Sequence, residues 1–132
     1  MTQVQEKNML VQVKRSSAGL GLFATVPIKK GKTIIEYIGE RIPTSVGDDR
    51  DSRYIFNVNS RTDIDGSPRY NTARYINHSC LSNCDALNRR GRVFIVARKN
   101  IKAGEELHYD YGKSYFEGVI ALAGCRCVKC FV

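Results

Sequence analysis

Apolar and polar residues alternate along Leu10-Val11-Gln12-Val13-Lys14, the period of two that sets one face of a strand on a core and the other in water. Thr33-Ile34-Ile35-Glu36-Tyr37-Ile38 is dense in β-branched and aromatic residues, which suit a pleated and half-buried surface, so it reads as a second strand. Between the two, Pro27 and the Lys29-Lys30-Gly31-Lys32 turn break the chain. Tyr54 to Val58, Thr62 to Ile64, Arg92 to Val96 and Glu106 to Tyr109 are further short strand candidates, bounded by Gly, Asn and Asp. Asn71 to Asn77 fits one or two helical turns, with Asn71 as the cap. The pattern predicts a mainly β fold with few short helices. No segment repeats, and the longest apolar run, Val93 to Ala97, is far short of the roughly eighteen residues a membrane span requires.

At 132 residues the chain is expected to form one compact domain whose core needs no disulfide staples. Its 42% hydrophobic and 26% charged residues are ordinary for a globular protein and argue against a mainly disordered state. Charge changes the picture: 21 Lys and Arg against 13 Asp and Glu leave +8. So basic a chain suits polyanionic surroundings, with nucleic acid the first candidate and solubility charge the bland alternative. The opening residues, Met1-Thr2-Gln3-Val4-Gln5-Glu6-Lys7-Asn8, hold no apolar signal core. Of five cysteines, three crowd together at Cys125, Cys127 and Cys130, a pattern that fits reduced thiols on a metal better than a secreted disulfide framework. An intracellular location is expected, nuclear or chromatin-associated in a eukaryote and cytoplasmic in a bacterium.

Four stretches carry candidate chemistry. Gly19-Leu20-Gly21-Leu22-Phe23-Ala24 has the letters of a dinucleotide fingerprint, but Thr25-Val26-Pro27 stops the helix that motif needs. Paired glycines in an apolar strand instead mark a close approach of a ligand or another backbone. Asn77-His78-Ser79-Cys80 with Asn83-Cys84 packs amides, an imidazole and thiols into eight residues. Cys125-Arg126-Cys127-Val128-Lys129-Cys130 is a zinc signal that supplies three of four ligands, leaving Cys80, Cys84, His78 or His108 to provide the fourth. In Glu105-Glu106-Leu107-His108-Tyr109-Asp110-Tyr111-Gly112, Tyr109 and Tyr111 share a face if the segment is extended.

Taken together, these stretches resemble the SET domain of protein lysine methyltransferases with a short post-SET cysteine tail. The resemblance spans about residues 10 to 130. It rests on Gly19 to Ala24, Ile34 to Glu40, Asp63-Ile64-Asp65, Asn71 to Cys80 and Gly104 to Gly112, in that order. It implies small curved sheets with a C-terminal pseudo-knot, an N-terminal extension over 1–9, a SET domain over 10–112 and a zinc-binding tail over 113–132. It further implies that S-adenosylmethionine lies against Gly19, Leu20, Gly21 and Leu22, against Tyr54, and against Asn77 and His78, with Arg126 where the tail closes over it. Tyr111 matches the catalytic tyrosine and Tyr109 the position that limits how many methyl groups are added. Cys80 matches the upstream zinc ligand beside Cys125, Cys127 and Cys130, while Cys84 is left as a core thiol. Two departures from the family pattern are visible. Only two residues separate Cys127 from Cys130 where four are usual, and no cysteine precedes Cys80.

The activity implied is methyl transfer to the side-chain amine of a protein lysine, a histone tail among the candidates, mainly as monomethylation. A basic tail would need an acidic groove, for which Glu105, Glu106, Asp110 and Glu117 are available, or docking on DNA that accompanies it. The competing reading is an inactive zinc module of the same fold that binds protein or nucleic acid.

Overall fold

The computed structural model describes residues 8–17, 19–50 and 54–110. The alternating N-terminal segment forms β1 (Val11–Ser16), which pairs antiparallel with β2 (Gly19–Ala24) as a hairpin. The β-branched run is β3 (Thr33–Tyr37), followed by β4 (Glu40–Pro43), a single helical turn and a half in α1 (Thr44–Asp49), then β5 (Ile55–Asn57) and β6 (Thr62–Asp65). A 3₁₀ turn over Thr72–Tyr75 leads into the two-residue β7 (Asn77–His78). The hairpin of β8 (Cys84–Arg89) and β9 (Arg92–Ala97) follows, and β10 (His108–Tyr109) ends the described chain.

Three small sheets result. β1 and β2 stand alone, β4, β6 and β5 form an antiparallel trio, and the largest sheet runs β3-β9-β8-β10-β7. The mainly β fold expected from the sequence is therefore present. Leu22, Ile76, Val93, Ile95, Ile101 and Leu107 are completely or almost completely buried and fuse the three sheets on one core.

The order β8-β10-β7 carries the topology. β7 and β8 are joined by residues 79–83, yet β10 lies between them and parallel to both. The last described strand thus passes between two strands that the intervening loop ties together, which is the expected pseudo-knot. Its approach is held on the other side by β2. Leu107 N–H donates to the Leu22 carbonyl at 2.8 Å and Ala24 N–H to the Glu105 carbonyl at 2.9 Å.

Two expectations are corrected. Asn71 stands at the head of the 3₁₀ turn but its side chain makes no cap. It is fully buried, accepts from Ile38 N–H and donates to the Gly66 carbonyl, so tertiary partners displaced the local one. The strand expected over Glu106 to Tyr109 is regular only at His108–Tyr109, because Glu106 makes an isolated bridge to Phe23 on β2 before the chain crosses to β7.

Candidate active site

The site is built where the knotted strand meets β2 and β7. Ala73 and Ile76 are buried, and the tight turn between them fixes the entry to β7. In the parallel register His108 lies opposite Asn77 and Tyr109 opposite His78. Asn83, itself buried, staples the crossing strand from the loop side: its Nδ2 donates to the Glu106 carbonyl and its Oδ1 accepts from His108 N–H, both at 2.9 Å. Ser79 N–H adds a longer bond to the Tyr109 carbonyl.

Asn77 reaches across to the hairpin. Its Nδ2 donates to the Leu20 carbonyl and to Glu106 Oε2, each at 3.0 Å, and approaches Ser16 Oγ at 3.3 Å. One amide therefore ties β2, β7 and the crossing segment together. Glu106 completes the hub. Its carboxylate lies over the α-carbon of Gly21, where a methyl group would fall within van der Waals contact of Oε2 and 3.0 Å from Cδ. The close approach expected at the paired glycines is thus made, at Gly21, by a carboxylate of the chain itself. Gly19 differs: at φ +100° it adopts a backbone that side chains disfavour, and a methyl group there would meet open space. Gly19 and Leu20 lie exposed, Gly21 and Leu22 buried.

His78 has a nearly buried side chain, with Nε2 3.5 Å from Cys80 Sγ and Nδ1 3.9 Å from Asp110 Oδ1. Burial pushes its pKa below the usual imidazole value and the neighbouring His108 acts in the same sense, with Asp110 opposing. The ring is neutral at pH 7 and so has a lone pair to offer. His108 is lowered too, by burial against the pull of Glu106 and Glu105. Cys84 is fully buried with its thiol pushed up to about 12, mainly by burial, which makes it the core thiol expected and a poor metal ligand. Cys80 is exposed.

Tyr54 is partly buried and its ring is covered by Arg74, whose guanidinium carbon stands 4.5 Å from the Tyr54 centroid and 5.2 Å from that of Tyr75. Arg74 Nε is buried and has no hydrogen-bond partner among the described residues. Sequence reasoning passed over this arginine. The signal available was its place three residues before Asn77. Glu106 was also misread as part of an acidic groove: it faces inward on Asn77, and Glu105 accepts from Lys102 N–H, so of that set Asp110 alone among the described residues remains exposed. Tyr111, Glu117, Cys125, Arg126, Cys127 and Cys130 lie outside the described residues. Among the described residues no three His, Cys, Asp or Glu side chains converge as metal ligands.

Residues 19–112 match the sequence model of the SET domain. The chain is 37% identical over 123 residues to "Histone-lysine N-methyltransferase, H3 lysine-4 specific" of Emericella nidulans, a match covering 83% of this chain and 10% of that protein. It is 38% identical over 123 residues to "Histone-lysine N-methyltransferase set1" of Dictyostelium discoideum, covering 83% and 8%. With "Histone-lysine N-methyltransferase, H3 lysine-4 specific" of Schizosaccharomyces pombe the identity is 39% over 105 residues, covering 70% and 11%. The chain spans about a tenth of the length of these curated relatives. With the family match covering β2, the knot, and Asn77 and Glu106 at the hub, this chain belongs to the SET-domain family.

Proposed function

We propose that the chain is an S-adenosylmethionine-dependent methyltransferase acting on the side-chain amine of a protein lysine, with a histone H3 tail the first substrate to test and monomethyl-lysine the main product. One juxtaposition carries the reading. The knotted β10 sets Tyr109 opposite His78 and His108 opposite Asn77, in a chain whose relatives bear the name histone-lysine N-methyltransferase.

The residues fit the cofactor. Arg74 Nε is a buried donor lacking an acceptor among the described residues, which suits a carboxylate. Gly19 leaves open space beside an exposed backbone, and His78, a neutral imidazole, directly follows the Asn77 that bonds the Leu20 carbonyl. In this assignment Gly19 and Leu20 bind through their backbone, Tyr54 through its ring, and Asn77 and His78 at the far side, while Gly21 and Leu22 hold the hairpin in shape. When bound, S-adenosylmethionine supplies a methyl group on a positively charged sulfur.

The protein's own task is to present a neutral amine in line with that methyl group. Free lysine has a pKa near 10.4, so its ammonium must lose a proton, and an apolar channel beside a positive charge favours the neutral form. Tyr109, nearly buried on β10, gives such a channel an aromatic wall and a hydroxyl that restricts how far a methylated amine can turn. Tyr111, two residues on, is assigned the hydroxyl that orients the reacting groups. Holding the reactants in line can contribute on the order of 7 to 11 kcal/mol.

For zinc, the donor set is Cys80 with Cys125, Cys127 and Cys130, a four-thiolate structural site in which Arg126 rides on the tail. Cys80 fits as the ligand from the folded body because it is exposed and follows the hub by three residues. The site would fasten the tail over the substrate channel.

The test is transfer of label from S-adenosylmethionine to purified histones, read by autoradiography and by mass spectrometry of H3 peptides, beside calorimetric binding of the cofactor. Methyl-lysine that disappears with Tyr111→Phe is expected. Absence of both binding and transfer under reducing conditions would overturn the proposal.

A further inference from the structure

The excess positive charge is not spread evenly. Residues 27–32 and 97–102 run antiparallel side by side, joined by reciprocal 2.8 Å bonds between Ile28 and Ile101, by Gly31 N–H to the Ala97 carbonyl, and by Ala97 N–H to the Lys32 carbonyl. Lys30 N–H also donates to Asn100 Oδ1. The two isoleucines are buried at 3% and 2% exposure, which roots both segments in the core. Everything that points outward is cationic or neutral: Lys29, Lys30, Lys32, Arg98, Lys99 and Lys102 are all exposed, and the twelve residues include no carboxylate.

These six cations are free of the partners that occupy others. Arg92 is held by both oxygens of Glu36, and Arg50 by Glu40 and Asp65. None of the six makes an ion pair among the described residues. Arg98 donates to Ser82 Oγ, and no carboxylate is hydrogen-bonded to the side chains of the other five among the described residues. Glu105, at the end of the second segment, accepts from the backbone of Lys102.

We infer that this ridge is a docking surface for the sugar-phosphate backbone of double-stranded nucleic acid, a reading independent of the proposed methyl transfer. Because Lys32 N–H closes a turn on the Lys29 carbonyl and residues 98–99 bend, the six cations crowd into a short row. A duplex carries a charge roughly every 1.7 Å of its axis, so the row faces several phosphates at once. Five of the six cations are lysines, compact charges on flexible stems that meet phosphates without demanding a fixed fork geometry. An anionic membrane is disfavoured because both isoleucines are buried, and the exposed apolar residues at one end of the ridge, Val26 and Pro27, are too small a wedge for acyl chains. An acidic peptide is disfavoured because none of the twelve residues is aromatic, leaving no anchor to fix a side chain.

The experiment is fluorescence anisotropy of the full chain with labelled 20-base-pair DNA and RNA duplexes of mixed sequence, titrated at several salt concentrations. Binding weaker than about 1 μM and independent of sequence is expected, since phosphate contacts carry no base information. The variant Lys30→Gln with Lys99→Gln and Lys102→Gln should bind at least tenfold more weakly at low salt. It should also lower the slope of log affinity against log salt by about 2 to 3, as loss of three phosphate contacts requires. The three corresponding Lys→Arg changes should keep both values, and a charge-matched variant elsewhere, Arg61→Gln with Arg69→Gln and Arg90→Gln, should leave the slope nearly unchanged. Equal losses in the ridge and control variants would overturn the assignment. So would absence of duplex binding at 50 mM salt, displacement of duplex by polyglutamate at equal charge concentration, or ridge-dependent binding to phosphatidylserine vesicles exceeding that to duplex.

Discussion

Replacing Gly21 by alanine adds one methyl group at a point where β2 lies beneath the Glu106 carboxylate. On an unobstructed strand the change would be mildly stabilising, by about 0.4 to 1 kcal/mol, because it restricts the unfolded chain. Here the new carbon would overlap Glu106 Oε2 and stand 3.0 Å from Glu106 Cδ and 3.1 Å from Ser16 Cβ. Overpacking of that kind costs about 1 to 3 kcal/mol. If Glu106 swings away to relieve it, Asn77 Nδ2 keeps the Leu20 carbonyl and Ser16 Oγ but loses a charged acceptor at 3.0 Å, which costs about 1.5 to 3 kcal/mol in place of the overlap. The two routes are alternatives, so after the unfolded-state gain the net expectation is a loss of roughly 1 to 2 kcal/mol, which for a domain of this size lowers Tm by about 3 to 8 °C.

The decisive measurement is a double-mutant cycle. Glu106→Asp withdraws the carboxylate by one methylene, so it should open room for the alanine methyl. Thermal or urea melts of Gly21→Ala, Glu106→Asp and the pair should then give a coupling of about 0.5 to 3 kcal/mol in the direction of rescue. Glu106→Gln, which keeps the shape, should give no rescue. Calorimetry with S-adenosylmethionine adds a functional readout, because displacing Glu106 leaves fewer partners to hold Asn77 against the Leu20 carbonyl it helps to position. Strictly additive melting changes, or a Gly21→Ala protein as stable as the parent, would refute the packing argument.

Tyr111→Phe should nearly abolish methyl transfer while leaving cofactor affinity within about twofold; equal loss of both in calorimetry and turnover would make the residue structural. Tyr109→Phe should raise the di- and trimethyl fraction in mass spectra with little loss of the first transfer, and abundant trimethyl-lysine from the parent protein would contradict its role. Metal analysis should find one zinc per chain in protein purified under reducing conditions, and chelation should stop activity before the circular dichroism of the sheets changes; full activity without zinc would remove the metal. Asp65 is held below the usual carboxylate range because hydrogen bonds from Ser67 and Arg50 outweigh its burial. A lowered folded pKa means stability that is complete above the unfolded value, near 3.9, and lost as pH falls through the folded one. Arg50→Gln should therefore move the acid-unfolding midpoint to higher pH, and an unchanged midpoint would show the contact to be idle.

What the sequence made legible was what depends on neighbours along the chain. Strands near Thr33 and Arg92 were foreseen because a β-branched run is buried there, and the strand near Leu10 from its alternation, although in β1 Val11 is buried and Val13 exposed. β8 was missed because its alternation is spoiled: Cys84 points inward while Leu87 is 40% exposed. α1 was missed because Thr-Ser-Val-Gly-Asp-Asp is a poor helical sequence, with a glycine in its middle and no side-chain cap. Two-residue strands such as β7 and β10 carry no periodicity at all; they are strands only because the chain crosses itself there.

The glycines show the same limit from the other side. Read locally, Gly21 and Gly47 signal a ligand contact and a helix breaker. In the structure each lies under a distant carboxylate, Glu106 over Gly21 and Asp63 over Gly47. Asp63 in turn accepts from Thr44 at the start of α1 and from Asn57 on β5, so a helix too weak to stand alone is held by the acid its glycine admits. At Gly21 the same device ties the hairpin to the knotted strand through Asn77. A side chain at either glycine would push away the group that fixes the neighbouring element. The missing Cβ is therefore a long-range contact seen from one end, and its meaning becomes readable only when the carboxylate that fills the space is known.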